Sequence, residues 1–531
     1  MNVKSFSQEK TTSTQEIAMK ARKRQQRKKR RMSQSKQHKR KVSKSPLTAE
    51  QKANRKEDSQ KAKEYKEKKR AIKKERAERR EATLIQKVLH SIFHSDTLDK
   101  LAKTTGFIKR KSNQLQAYAY MFIMSFAFFG NGEISLANQT STLSKSFDTD
   151  ITPQALSKRI NTKYSVKFLS AIFSNLLNVQ MKINFAGIAK EVFAVFSEVC
   201  LQDSTQVSLD RALKKPFKGS GGNTSESALK LDFIFDIANI IIKHVKLTMG
   251  TVPDVKLSKD LINCIQAGSL SIRDLGYFEI STLRKIKDQF AYYISRLSIS
   301  VNVYLNKEDK EKLDLIKFMK KEIAKGSTSI NQIVHIGVEE RFETRLIVEK
   351  VPDEVSKQRQ ARYTTGNGKA PSEYYTEWCG YSIFITNIPP EMFSSKIVIA
   401  LYKIRWQIEL IFKNFKSNIE LDYLSGKNKH RIESLVYGRL ITISLLFIIQ
   451  NYAAYIALSE KKGTREVSGD KLTKWLITGS NLYTAMLEKT FLELLALIEF
   501  DIAQLCKQKR KKKTTLEDIA DLMDSEWMEA G

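Results

Sequence analysis

The sequence predicts a mixed α/β protein in which a strand-rich centre is flanked by helical regions. Three observations point there. Leu229, Leu231, Phe233 and Phe235 alternate with Lys230, Asp232 and Ile234, the period-two pattern of a strand, and other apolar runs surround them. Residues 85–195 and the segments 434–459 and 480–507 read as helices. Between strands and final helices lies Tyr402 to Lys416, YKIRWQIELIFKNFK, without Pro or Gly. Leu401, Ile404, Ile408, Ile411, Phe412 and Phe415 recur in and beside it at helical spacing.

At 531 residues the chain has room for two to four domains and a large core. Its formal charge is +34, of which +21 falls in residues 1–80, leaving +13 for the rest. Such a basic chain suits a polyanionic partner, most often nucleic acid. Cys200, Cys264, Cys379 and Cys506 are scattered with no C-x-x-C pair, which excludes a zinc ribbon or a disulfide framework and fits a reducing cytoplasm. The six His form no metal-binding cluster. The start, MNVKSFSQEKTTSTQE, lacks the apolar run of a signal peptide. Ala117–Phe129 is too short to span a bilayer, and Leu440–Ser459, 20 residues with Gln450 and Asn451, reads as a core helix; no membrane association is expected.

Taken in order, residues 1–84 form a basic arm too poor in apolar residues to fold, expected to grip DNA without reading its sequence. Residues 85–195 form a helical region. Within it, Asp148–Tyr164 places Thr152-Pro153 at a helix start and Gln154, Ser157, Lys158 and Arg159 on a short helix, compatible with a recognition helix or an ordinary hairpin. Residues 196–290 hold strands at Val199–Leu209, Leu229–Phe235 and Ile240–Met249, a helix at Ser258–Gln266, and a strand Ser269–Phe278 ending in an acid and a turn. The GSGG inside Lys214–Ser227 is a loop with no G-K-[ST] after it, hence no phosphate cradle. Residues 291–390 contain β-branched and aromatic runs at Tyr292–Val303, Gln332–Val338, Glu343–Val351 and Tyr381–Ile388, with a loop at Thr364–Ser372. Residues 391–460 carry the helix first described, and 461–531 a helical end with a basic run, Lys507–Lys513, before an acidic segment.

On one continuous helix, Arg405, Glu409, Lys413 and Lys416 would lie at about −60°, −20°, +20° and −40° from Tyr402. One carboxylate among three cations and a phenol suits a metal ion held beside a phosphate backbone. A solvated face of i, i+4 ion pairs would show the same charges. The order of residues favours the first. Tyr402-x2-Arg405-x3-Glu409-x6-Lys416 resembles the YREK signature of bacterial cut-and-paste transposases of the insertion-sequence family four group. That family pairs its Glu with two upstream aspartates. Asp203-Ser-Thr and Arg273-Asp274-Leu-Gly-Tyr-Phe278 resemble its first two blocks, 71 residues apart, with Glu409 a further 135 on.

The resemblance, over about residues 95–460, implies a ribonuclease-H-like core with a β-rich insertion between the second Asp and the Glu. It implies a DNA transposase that excises and integrates an insertion sequence by phosphoryl transfer at its terminal inverted repeats. The catalytic and metal-holding set would be Asp203, Asp274 and Glu409. Two Mg²⁺ or Mn²⁺ ions would be their cofactors, as hard cations that prefer oxygen ligands. Asp203 would bridge the ions. Tyr402, Arg405, Lys413 and Lys416 would hold DNA phosphates, Arg405 and Lys416 acting there and not as ion-pair partners of Glu409. Trp378 is the candidate aromatic for a flipped base, with a core role as its alternative, while Trp406 is expected to pack the helix on the sheet. Partners would be double-stranded DNA, both element ends and target, with the protein a homodimer on the bacterial nucleoid. The alternatives are a nuclease of the same architecture without strand transfer and a transposase-derived DNA-binding protein.

Overall fold

The computed structural model describes residues 80–109, 115–129, 135–180, 193–221, 225–325, 329–459, 467–506 and 515–530. The basic arm through residue 79 and the basic run 507–513 lie outside the described residues. The chain opens with helices α1 (Arg80–Phe93), α2 (Ser95–Thr104), α3 (Ala117–Phe126), α4 (Leu136–Phe147), α5 (Pro153–Ile160) and α6 (Lys163–Gln180). The Thr152-Pro153 start is present: the Thr152 hydroxyl accepts from the Ala155 N–H at 3.2 Å, and Pro153 occupies the first turn, where its missing N–H costs nothing. Helix α3 is buried along its whole length, which accounts for the apolar run at 117–126.

The centre is one nine-stranded sheet. Its strands are β1 (Val199–Ser208), β2 (Ala228–Asp236), β3 (Ile241–Met249), β4 (Leu270–Arg273), β5 (Tyr292–Arg296), β6 (Val303–Tyr304), β7 (Ser329–Ile336), β8 (Phe342–Lys350) and β9 (Tyr381–Thr386), in the order β3-β2-β1-β4-β5-β9-β8-β7-β6. The β1–β4 and β4–β5 pairs are parallel and the other pairs antiparallel. Period-two alternation gives each face its own core. Val199, Leu201, Leu229, Leu231, Phe233 and Phe235 join the helical regions in the larger core. Cys200, Ile234 and Tyr293 join a second core with α7 (Ile280–Asp288) and α8 (Leu315–Ala324).

Several sequence expectations need correction. The strands of 291–390 prolong the central sheet, β9 pairing with β5. The run Tyr292–Val303 is two short strands with a connection between them. The loop expected at Thr364–Ser372 begins inside helix α9 (Asp353–Asn367), which Gly368 ends at φ 68°. That helix carries no apolar stripe, so periodicity could not reveal it. After it comes the short α10 (Glu373–Trp378). Ser258–Asn263 is 3₁₀, and the strand ending near Asp274 is only β4, followed by the 3₁₀ turn Leu275–Tyr277.

The remaining helices are α11 (Ser395–Lys403), α12 (Gln407–Asn418), α13 (Lys429–Ser459), α14 (Gly469–Ile477), α15 (Asn481–Glu488), α16 (Phe491–Leu505) and α17 (Thr515–Ala530). The helix expected over 480–507 is thus two, broken where Lys489 turns to φ 57°. Helix α13 is long and apolar enough to cross a membrane, yet 89% of its apolar window is buried inside the fold. It is a core helix, as its apolar residues on every side require.

Candidate active site

Helix α12 is held on the sheet by aromatic packing. Phe412 and Phe415 meet Phe233 of β2 at ring-centroid distances of 5.4 and 5.8 Å, and Phe447 of α13 lies 6.1 Å from Phe415 and 5.7 Å from Phe235. These rings bury large areas in defined geometry, so the helix has one seat. Upstream, the Ser394 hydroxyl caps α11 by accepting from the Ile397 N–H. Tyr402–Lys416 is not one continuous helix: Ile404–Trp406 forms a 3₁₀ turn between α11 and α12. At 3.0 residues per turn those three residues rotate what precedes them by about 60° relative to an unbroken α-helix.

That seat brings three carboxylates into one cleft of about 600 Å³. It is lined by Asp203, Ser204, Asp274, Arg405, Glu409, Phe412, Lys413, Lys416 and Ser417. Asp203 stands on β1 opposite Phe233 of β2, and its Oδ1 accepts from the Ser204 N–H at 2.8 Å. Asp274 follows the last residue of β4 and caps the 3₁₀ turn after it, accepting from the Gly276 N–H at 3.4 Å. Glu409 sits in the first turn of α12. Burial, and after it the nearby charge of Asp274, push the Asp203 carboxyl up to about 6, against the opposing pull of the Ser204 N–H and Arg405.

Arg405 links the other two acids. Its Nη2 is 2.9 Å from Glu409 Oε1 and its Nε 3.5 Å from Asp274 Oδ1. Burial alone would lower the guanidinium; Asp274, Tyr402 and Glu409 outweigh it and hold it above its ordinary value. The ion pair with Glu409 that the phosphate reading set aside is therefore present. Crowded carboxylates call for a neighbouring cation, and the i, i+4 spacing supplies it. Lys416 Nζ reaches the Gln206 carbonyl at 3.3 Å and ties the end of α12 to β1.

The cleft thus unites Asp203, Asp274, Arg405, Glu409, Lys413 and Lys416. Tyr402 and Trp378 are not among the lining residues. The Tyr402 ring packs 4.9 Å from Phe384, behind Arg405, and burial with the Asp274 charge raises its phenol to about 12. Trp378 ends α10, half-buried against the second core with its ring 6.4 Å from Tyr374. Trp406 does not pack against the sheet: it is 56% exposed, about 20° from Lys413 around the helix. Ser204 and Ser417 also reach the cleft; Ser204 was visible as the neighbour of Asp203, whereas Ser417 left no signal.

The donor set fits a hard divalent cation in kind, since every acidic group in the cleft offers carboxylate oxygens. Among the described residues no three His, Cys, Asp or Glu side chains enclose a common ion position as they stand. Chemically, this arrangement joins oxygen donors to a row of cations that suits a phosphodiester.

Residues 195–445 match the family described as the transposase DDE domain. The chain is 27% identical over 380 residues to the transposase for insertion sequence element IS1151 of Clostridium perfringens, covering 68% of this chain and 79% of that one. It is 28% identical over 366 residues to the transposase for IS231B of Bacillus thuringiensis subsp. berliner, covering 65% and 75%. A shorter match, 32% over 128 residues, covers 23% of this chain and 35% of the putative transposase InsL for IS186A of Escherichia coli K12. With Asp203, Asp274 and Glu409 facing one cleft inside the matched span, the chain is similar to the DDE transposases in both sequence and site.

Proposed function

We propose that this transposase cuts and rejoins DNA at the terminal inverted repeats of an insertion sequence, using Asp203, Asp274 and Glu409 to hold two Mg²⁺ or Mn²⁺ ions. The observation that carries the reading is the shared cleft, in which these three acids meet Arg405, Lys413 and Lys416. The strand order β3-β2-β1-β4-β5, with two antiparallel pairs followed by two parallel pairs, supports a ribonuclease-H-like core. The spacing from Tyr402 to Lys416 supports the YREK group.

When bound, two such ions activate the attacking oxygen and stabilise the leaving oxygen of an in-line displacement. The protein does the rest. Asp203 is fixed by the middle of β1, Asp274 by the end of β4 and Glu409 by the aromatic seat of α12, so the oxygen donors keep their spacing. Arg405, Lys413 and Lys416 face the phosphate oxygens and offset their charge, Arg405 with two parallel N–H groups. Water attacks the scissile phosphorus and the 3′-oxygen leaves. In the joining step a DNA 3′-hydroxyl attacks a target phosphate and the target's own 3′-oxygen leaves. No covalent enzyme intermediate is needed. No His or Cys lines the cleft, and the Ser204 hydroxyl is donated to Asp254 Oδ1 at 2.9 Å. Helix α5 and its preceding turn are proposed to contact DNA, the enzyme acting as a homodimer with the cytoplasmic nucleoid as its setting.

Asp203→Asn, Asp274→Asn and Glu409→Gln should each reduce nicking of end-containing DNA in Mg²⁺ by at least a thousandfold, while gel-shift affinity for the ends stays within threefold; the figures are order-of-magnitude, about 4 kcal/mol of barrier. Normal nicking by any one of them removes that residue from the catalytic set.

A further inference from the structure

Behind the catalytic strands runs a chain of buried polar groups that the reaction does not touch. Side chains alternate along a strand, so Gln202 and Arg273, each one residue before a catalytic aspartate, point away from the cleft. The two are register partners in the parallel β1–β4 pair. Both are buried, as are Asp232, Ser258 and Tyr277. Gln202 Nε2 donates to Asp232 Oδ2 and to the Leu257 carbonyl, each at 2.9 Å. Tyr277 Oη donates to Asp232 Oδ1 at 2.5 Å. Arg273 Nη2 donates to the Tyr277 carbonyl at 3.1 Å and to the Ser258 hydroxyl.

Polar groups are costly to bury, and this set is buried beside Cys200, Ile234 and Tyr293 of the second core. The polar set is concentrated where the strands approach Asp203 and Asp274. Its geometry has a centre. Asp232 lies on β2, opposite Ser204 of β1. Through Gln202 it holds the β1 residue next to Asp203. Through Tyr277 it reaches past β1 to the 3₁₀ turn that Asp274 caps. Asp274 has no strand after it to hold it; the turn is fixed from beneath by Tyr277 and Arg273.

We propose that Asp232 is the shared anchor that sets the spacing between Asp203 and Asp274, with Gln202 and Tyr277 as its two arms. All three are positioning residues. The proposal rests on the reading of the two aspartates as metal-holding groups. Two ions about 3.5–4 Å apart tolerate little drift in their donors. Hydrogen-bond partners one layer behind metal-holding groups typically change metal affinity by roughly ten- to a hundredfold.

The test uses the full-length protein with Tyr277→Phe, Asp232→Asn and, as reference, Asp203→Asn. Mn²⁺ binding is read by electron paramagnetic resonance, the Mg²⁺ requirement by nicking, end binding by gel shift and folding by melting temperature. Tyr277→Phe removes one hydroxyl and should weaken Mn²⁺ binding and raise the Mg²⁺ requirement by roughly tenfold or more, with end binding unchanged. Asp232→Asn should stay within threefold of wild type. Its oxygen still accepts from Gln202, and its NH₂ turns to the Tyr277 oxygen. A lower melting temperature for Tyr277→Phe with wild-type Mn²⁺ binding and Mg²⁺ requirement overturns the proposal and leaves the network a structural one. Equal losses in Asp232→Asn and Tyr277→Phe also overturn it, since charge and not hydrogen-bond geometry would then be responsible. If Asp203→Asn itself binds Mn²⁺ normally, the metal reading falls and the anchor falls with it.

Discussion

Arg405 faces two kinds of anion. Its guanidinium is within ion-pair distance of Asp274 and Glu409, and it also lines the cleft proposed to receive a phosphodiester. The pairs are partly exposed, so solvent screening limits each to about 0–1 kcal/mol. Arg405→Ala should therefore lower stability by about 1 kcal/mol in chelator-treated buffer, and by less once Ca²⁺ is added to offset the same carboxylates. Single-turnover cleavage should fall far more, because holding the scissile phosphate accounts for several kcal/mol of barrier. Lys416 gives the contrast. It donates to the Gln206 carbonyl and makes no ion pair among the described residues, so Lys416→Ala should leave stability within about 0.5 kcal/mol while cleavage drops. A clear loss of melting temperature with normal cleavage by the folded Arg405→Ala fraction would reduce Arg405 to an ion-pair partner. That Asp203, Asp274 and Glu409 would meet was readable from sequence because their three blocks follow the order of the family they resemble, and the three do line one cleft. The expected packing of Trp406 on the sheet was wrong: it is 56% exposed, on the same side of the helix as Lys413.

At the scale of elements, the site depends on how α12 and β2 are seated. Phe415 is 3% exposed and touches the rings of Phe233, Phe235 and Phe447, so Phe415→Ala should cost about 3–5 kcal/mol and release the helix carrying Glu409. Chemical denaturation checks the magnitude. β2 also carries a pH signature. Burial pushes the Asp232 carboxyl up to about 6; hydrogen bonds from Tyr277 and Gln202 oppose this, and Asp260 and Asp254 add to it. A raised folded-state value means that the native protein holds this proton more tightly than the unfolded chain. The contribution to stability is full below about pH 4 and is lost as pH rises through about 6. Asp232→Asn does not titrate, so its stability relative to wild type should grow between those limits, by up to about 3 kcal/mol. A difference that is flat from pH 4 to 7 contradicts this. Asp203 titrates in both proteins and cancels from the comparison. The strands around Asp203 were legible because alternation and β-branched runs mark them. Helix α9 was not, because a polar, exposed helix buries no stripe and only its Gly368 stop is distinctive. That β9 would join β5 also left no local trace, since pairing between residues some 90 apart is decided by the assembled sheet.

At the scale of the molecule, charge is divided unevenly. Residues 1–80 carry +21 of the +34 total, and the cleft adds Arg405, Lys413 and Lys416 around its acids. The two basic regions have different work to do. The cations of the cleft, proposed to meet one phosphodiester, stand on α12 and the turn before it. The N-terminal charge comes in runs such as Arg22–Arg31 with few apolar residues, a composition suited to attracting a polyanion whatever its sequence. Its contribution to binding is then expected to come from counterion release. Each phosphate neutralised adds about 0.9 to the slope of log affinity against log salt on duplex DNA. Removing residues 1–79 should flatten that slope by several units and weaken binding to element ends and to random DNA by similar factors. The ratio between the two should stay within about threefold, because sequence choice is left to the folded part of the chain. Fluorescence anisotropy with both DNAs over a series of salt concentrations measures slope and ratio together. A truncated protein that binds random DNA as before, yet no longer prefers the ends, would instead place sequence recognition in the arm.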